Sequence, residues 1–170
     1  MSPTSLPIAQ ILTLLAAGPS HIAEFTTGLT ETQLHAAPGP GEWSANEVLA
    51  HLRSCSDVWG SCIVTIISQA MPTIRAVNPR TWIKSTSYLE QKFQPSLQAF
   101  TAQRVELLAV LEPLKPKIWS RSATITGAGK PLERSVHFYA QWLAEHERPH
   151  LKQIDRIAST LQKSHLSGPM

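Results

Sequence analysis

Between Val136 and Leu161 apolar residues recur at helical spacing, and two histidines stand in the same row. Val136, Tyr139, Leu143, His146, His150, Ile154, Ile157 and Leu161 fall on one face of a single long helix. A helix of that length with one fully apolar side requires partner helices of comparable length to cover it, which points to a bundle. The row also constrains function. An imidazole facing a core has to be satisfied there, and two imidazoles four residues apart stand one above the other. Their ring nitrogens can reach one point in space, as a transition-metal ion requires.

A third histidine has the same setting. His51 lies among Val48, Leu52, Cys55 and Val58, on a second stretch with an apolar helical face. Taken singly, each histidine is more simply an ordinary core residue; the pair on an apolar face is what favours metal. Three inward imidazoles from two helices give a three-nitrogen site with open positions, the pattern of a catalytic or exchangeable centre. His21, His35, His137 and His165 do not join the row. His146-Glu147-x-x-His150 also has the form of a zinc-protease motif with Glu147 as base. The downstream Gly and His of the extended form are missing, and Pro149 removes a backbone donor inside the motif. Glu147 is therefore a candidate to orient an imidazole or act as base, against a half-exposed helix glutamate. Cys55, one turn beyond His51, is a candidate fourth ligand or reactive thiol, against a small core residue. Trp43, Trp59 and Trp142 are candidates to wall a pocket, against plain packing.

The remaining chain supplies the partner helices. A first helix is expected from about Leu6 or Pro7 to Thr27, kinked or split at Pro19. Thr30-Glu31-Thr32-Gln33 and Ser44-Ala45-Asn46-Glu47 have capping-box form and open a short turn and a second long helix running to about Ala70. A third box, Ser87-Tyr88-Leu89-Glu90, starts a third helix whose first turns Pro95 should interrupt; Pro113 and Pro116 end it. The connection from about Leu114 to Lys130 holds Trp119 and a β-leaning Ala123-Thr124-Ile125-Thr126, and is a candidate pocket wall. The fourth helix is expected over about Leu132 to Leu161. Residues 1–161 form one domain in this reading, and 162–170 a frayed tail.

Charge and cysteine usage narrow the function classes. A net charge of +3 with scattered Lys and Arg argues against nucleic acid as partner. No apolar run is long enough to span a bilayer, so no membrane partner is expected. The run from Ile8 to Ala17 has no basic residue before it and reads as a core helix, not a signal peptide. Cys55 and Cys62 stand two helical turns apart, roughly 10 Å, too far for a disulfide. Free thiols fit a reducing cytoplasm.

The combination Trp43-Ser44-x-x-Glu47-Val48-Leu49-x-His51-Leu52 and His146-x-x-x-His150-x-x-Gln153-Ile154, with the approach Pro38-Gly39-Pro40-Gly41-Glu42, resembles the DinB-like (DinB/YfiT-type) family of metal-dependent four-helix bundles. The resemblance runs from about Ile8 to Leu161. It implies an all-α four-helix bundle of up-down-down-up crossover topology. It also implies a divalent metal, nickel or zinc, held by three histidines that map onto His51, His146 and His150, and a homodimer. The activity it implies is transfer of a low-molecular-weight thiol co-substrate to a small-molecule electrophile. A hydrolase using metal-ionised water is the alternative, with Glu147 as the local base; a non-catalytic metal-binding or interaction bundle is the third reading.

Overall fold

The structure, a computed structural model, describes residues 4–168; residues 1–3 of the expected domain and 169–170 of the expected tail lie outside it. Four long helices carry the fold: α1 (Ile8–Phe25), α3 (Ala45–Ser68), α5 (Phe93–Leu111) and α7 (Val136–Leu166). Short helices α2 (Glu31–His35), α4 (Pro79–Trp82) and α6 (Pro116–Trp119) sit in the connections. α1 packs along α5 and α7, and α3 packs along the same two. Thus α1 and α3 lie across a diagonal, as do α5 and α7, and a chain running from α1 to α3 has to cross an end of the bundle.

Local chemistry fixes most helix starts. The Thr30 and Ser44 boxes both form: each hydroxyl accepts from the backbone N–H three residues on, and Gln33 and Glu47 reach back to the cap N–H. The third box does not form. Ser87 makes no cap bond, residues Tyr88–Glu90 make a 3-10 turn, and α5 begins at Phe93. Pro95 then falls in the first turn, where its missing N–H would have had no intrahelical partner, so it does not interrupt the helix. The Phe93 N–H is met by Glu31 Oε1 at 2.7 Å.

The connections are not purely helical, which amends the all-α expectation. Strands β1 (Thr73–Arg75), β2 (Ser122–Thr126) and β3 (Leu132–Ser135) form a small sheet in that order, β1 parallel to β2 and β2 antiparallel to β3. β2 alternates inward Ala123 and Ile125 with outward polar residues, as a half-buried strand should. Because Leu132–Ser135 pairs in this sheet, α7 starts at Val136, capped by Ser135, four residues later than expected. At its other end it continues to Leu166, past the expected end at Leu161.

Two apolar clusters fill the bundle. One gathers Ile11, Leu15, Cys55, Ile63, Leu111, Trp119, Leu143 and Ala144; the other gathers Ile22, Leu49, Leu52, Phe93, Phe100 and Ile154. On each long helix the change from one cluster to the other falls in mid-course; polar residues stand at or within a turn of that change on three of them, His51 on α3, Arg104 on α5, and His146, Glu147 and His150 on α7, while α1 places Gly18 and Pro19 there. A polar layer therefore crosses the middle of the bundle.

Candidate metal centre

Half of that layer is ionic. Arg104 and Glu147, 2% and 3% exposed, form an ion pair in which the two terminal guanidinium nitrogens each meet a carboxylate oxygen. Their surroundings explain the Gly18-Pro19 pair in α1, which stays one continuous helix. Pro19 has no N–H to give the Leu15 carbonyl, and Arg104 Nη1 takes its place at 2.8 Å. A Cβ at Gly18 would stand 3.0 Å from Glu147 Oε2, so only glycine leaves the carboxylate its room. Burial pushes the Glu147 carboxyl above its ordinary range, and the Arg104 guanidinium opposes that shift.

The other half of the layer holds the three histidines. His51 Nε2 and His146 Nε2 are 3.1 Å apart. The ring centroid of His150 lies 4.9 Å from that of His51 and 4.9 Å from that of His146. α7 runs unbroken through Pro149, so the i,i+4 pair keeps its common face. His150 Nδ1 meets Gln153 Oε1 at 2.9 Å. An amide oxygen only accepts, so Nδ1 is the donor in this contact and Nε2 is the nitrogen left to face an ion. Burial, then the neighbouring imidazoles and Arg80, hold His51 down to about 4. His146 is held down to about 4 by burial, His150 and Arg80. Both rings are neutral donors at pH 7.

Cys55 belongs to the same neighbourhood. Its Sγ is 3.5 Å from His51 Nε2, and the donor atoms of His51, Cys55 and His146 all lie within 4.8 Å of one another. Burial, reinforced by the charge of Glu147, pushes its thiol up to about 12, so it stays protonated unless a cation displaces the proton. Two nitrogens sharing one ion at about 2.0–2.1 Å stand about 2.9 Å apart at right angles and about 3.3 Å apart in a tetrahedron. The observed 3.1 Å lies between these values, and nitrogen-rich donors suit a divalent transition ion. The donor set fits a metal.

Tryptophans wall the histidines. Trp43 stacks near-parallel on His150, and Trp59 meets His146 edge-on at 5.0 Å between centroids. Trp142 stacks near-parallel on His146 at 6.4 Å between centroids. Trp119, by contrast, is buried against His137 in the core and does not line this site. His150, alone of the three histidines, lines a cleft of about 320 Å³ together with Trp43, Arg80, Gln153, Glu42 and Arg156. A second cleft, of about 170 Å³, is bounded by Asp57, Cys62, Ile74 and Trp82 and touches none of the three histidines.

Sequence reasoning singled out His51, His146, His150 and Glu147. The three rings neighbour one another, but the donor atoms that gather within 4.8 Å are those of His51, Cys55 and His146, and His150 is not in that group; Glu147 is buried and turned to Arg104, neither half-exposed nor hydrogen-bonded to an imidazole. It missed Arg80, which stands in a proline-rich connection with no periodic signal, and Arg104, whose call for a carboxylate is visible only across 43 residues.

A family model described as the DinB superfamily matches residues 14–154. The chain belongs to the DinB superfamily. The solved structure of YfiT from Bacillus subtilis, described as a probable metal-dependent hydrolase with an unusual four-helix bundle topology, superposes with a TM-score of 0.72. It shares 16% sequence identity, over 92% of this chain and 92% of that one, a likeness of fold. No curated protein matches the sequence. Cys55 and Cys62 are both free, and among the described residues no helix is long and apolar enough to cross a membrane.

Proposed function

We propose that this DinB-superfamily protein is a divalent-metal-dependent enzyme that joins a low-molecular-weight thiol to a small electrophile, with His51, His146 and His150 as ligands and nickel or zinc as the ion. The observation that carries the reading is the trio of imidazoles from α3 and α7 beside a cleft of small-molecule size. Bound there, a divalent ion would act as a Lewis acid that lowers the pKa of a thiol or a water at an open position. The protein's own part is to hold neutral imidazoles ready, to fix the His150 tautomer through Gln153, and to exclude bulk water with Trp43, Trp59 and Trp142. The thiol gives its proton to solvent, its sulfur bonds the electrophilic carbon, and the leaving group departs with the electron pair.

Hydrolysis is the second reading, favoured by the likeness to YfiT. It needs a base beside the open position, and Glu147, the sequence-local candidate, is engaged by Arg104. That is why thiol transfer is preferred. An up-down-down-up helix order, a homodimer and a cytoplasmic location are part of the same proposal and rest on the family resemblance and the free thiols.

The first test is elemental analysis of protein purified without chelating resin, beside a His51→Ala/His146→Ala variant. Near-stoichiometric metal in the wild type and none in the folded variant is expected, followed by turnover in a thiol-transfer screen. Folded wild type that is metal-free and refuses added nickel or zinc would overturn the reading.

A further inference from the structure

The cleft beside the histidines holds more positive charge than its own residues neutralise. Arg156 faces Glu42 at 3.6 Å. Arg80, on the same cleft, has no carboxylate partner among the described residues. Its guanidinium carbon lies 5.5 Å from the Trp43 ring centroid, and Trp43 in turn stacks on His150. The backbone under Arg80 is firmly placed. Asn78 Oδ1 accepts from the Arg80 N–H at 2.9 Å, and Ser54 Oγ donates to the Pro79 carbonyl at 2.6 Å, pinning α4 to α3 one turn from His51.

The geometry points to a substrate or thiol co-substrate bearing a carboxylate, which Arg80 grips at the mouth of the cleft while Trp43 lies against its carbon chain and its reacting group reaches the histidines. The inference rests on the metal-dependent reading above. A guanidinium matches a carboxylate with two parallel hydrogen bonds. One uncompensated cation, with Glu42 in the same cleft, balances a single negative charge better than a phosphate dianion.

The test uses cobalt-loaded full-length protein and two thiols of similar size, mercaptoacetate and mercaptoethanol, followed by the sulfur-to-cobalt charge-transfer band. Wild type should bind mercaptoacetate about tenfold more tightly than mercaptoethanol, the value of one charge-assisted contact at a half-open site. Arg80→Met should abolish that preference while mercaptoethanol still gives a band, and Arg80→Lys should restore part of it. Arg156→Met removes the same charge from the cleft and should shift the preference by less than about twofold. Equal affinity for the two thiols in wild type, no band with either, or an equal loss in Arg80→Met and Arg156→Met would each overturn the inference while leaving a cobalt-loaded centre standing. Wild type that takes up no cobalt would overturn the metal reading itself, and this inference with it.

Discussion

Replacing Glu147 with leucine tests the polar layer directly. Arg104 is 2% exposed, and its remaining partners would be the Leu15 carbonyl at 2.8 Å and Ser56 Oγ at 3.4 Å, both neutral. An unpaired charge left in a bundle core costs about 3–5 kcal/mol, a large share of the roughly 5–15 kcal/mol that holds a domain together. For a chain of this length that is a fall in Tm of roughly 6–20 °C. Glu147→Leu with Arg104→Met removes both charges and should recover most of the loss. It does not recover all of it, because Pro19 leaves the buried Leu15 carbonyl with no donor, a deficit of about 1–3 kcal/mol. Adding Pro19→Ala restores the helix N–H and should close that gap. The three steps are read by urea denaturation of metal-free protein, with circular dichroism to confirm helix content. If the double variant is no more stable than Glu147→Leu, or Pro19→Ala adds nothing to it, the linkage of Pro19, Arg104 and Glu147 is wrong.

Four further outcomes follow from the same geometry. Gly18→Ala puts a methyl 3.0 Å from Glu147 Oε2 and 3.5 Å from Arg104 Nη1, neither free to retreat; a destabilisation of about 1–3 kcal/mol is expected in urea melts, and a neutral result would mean that α1 can shift. Cys55→Ser should keep full metal content, and cobalt-loaded wild type without added thiol should lack a sulfur charge-transfer band; a band lost in Cys55→Ser would replace the three-imidazole set with one including sulfur. Gln153→Leu removes the acceptor that orients His150 and should weaken metal affinity by about 10–100-fold, measured by chelator competition. For the metal-free protein, His51 and His146 titrate near 4 when folded and near 6.5 when unfolded. The unfolded chain thus binds more protons between these values, so stability should be full above about pH 6.5 and fall as pH drops toward 4; equal urea midpoints at pH 5 and pH 7 would contradict it.

What the sequence made legible was local or periodic. The Thr30 and Ser44 boxes, the row on α7 and the apolar face around His51 each lie within a few turns of chain, where spacing alone decides which side chains share a face. The Ser87 box has the same spelling and fails, because Ser87 instead accepts from Gln91 and the helix waits for Phe93. Gly18-Pro19 read as a defect because its reason stands on two other helices. The sheet was half visible, in the β-leaning Ala123–Thr126, since pairing with Thr73–Arg75 joins segments about fifty residues apart.

The pair His146-Glu147 shows why a motif needs its surroundings. Successive helical residues point about 100° apart, and α7 has α3 on one side and α1 on another. His146 therefore turns to His51 on α3, and Glu147 turns under α1, where Gly18 leaves space and Arg104 supplies charge. In a zinc protease the corresponding glutamate has to reach the same open position as the metal's water. Here the bundle packs against that side of α7, and the carboxylate holds α1, α5 and α7 together through Arg104 instead. The same five letters thus divide between two tasks: the histidines present nitrogens to a centre, and the glutamate anchors the helix that carries them.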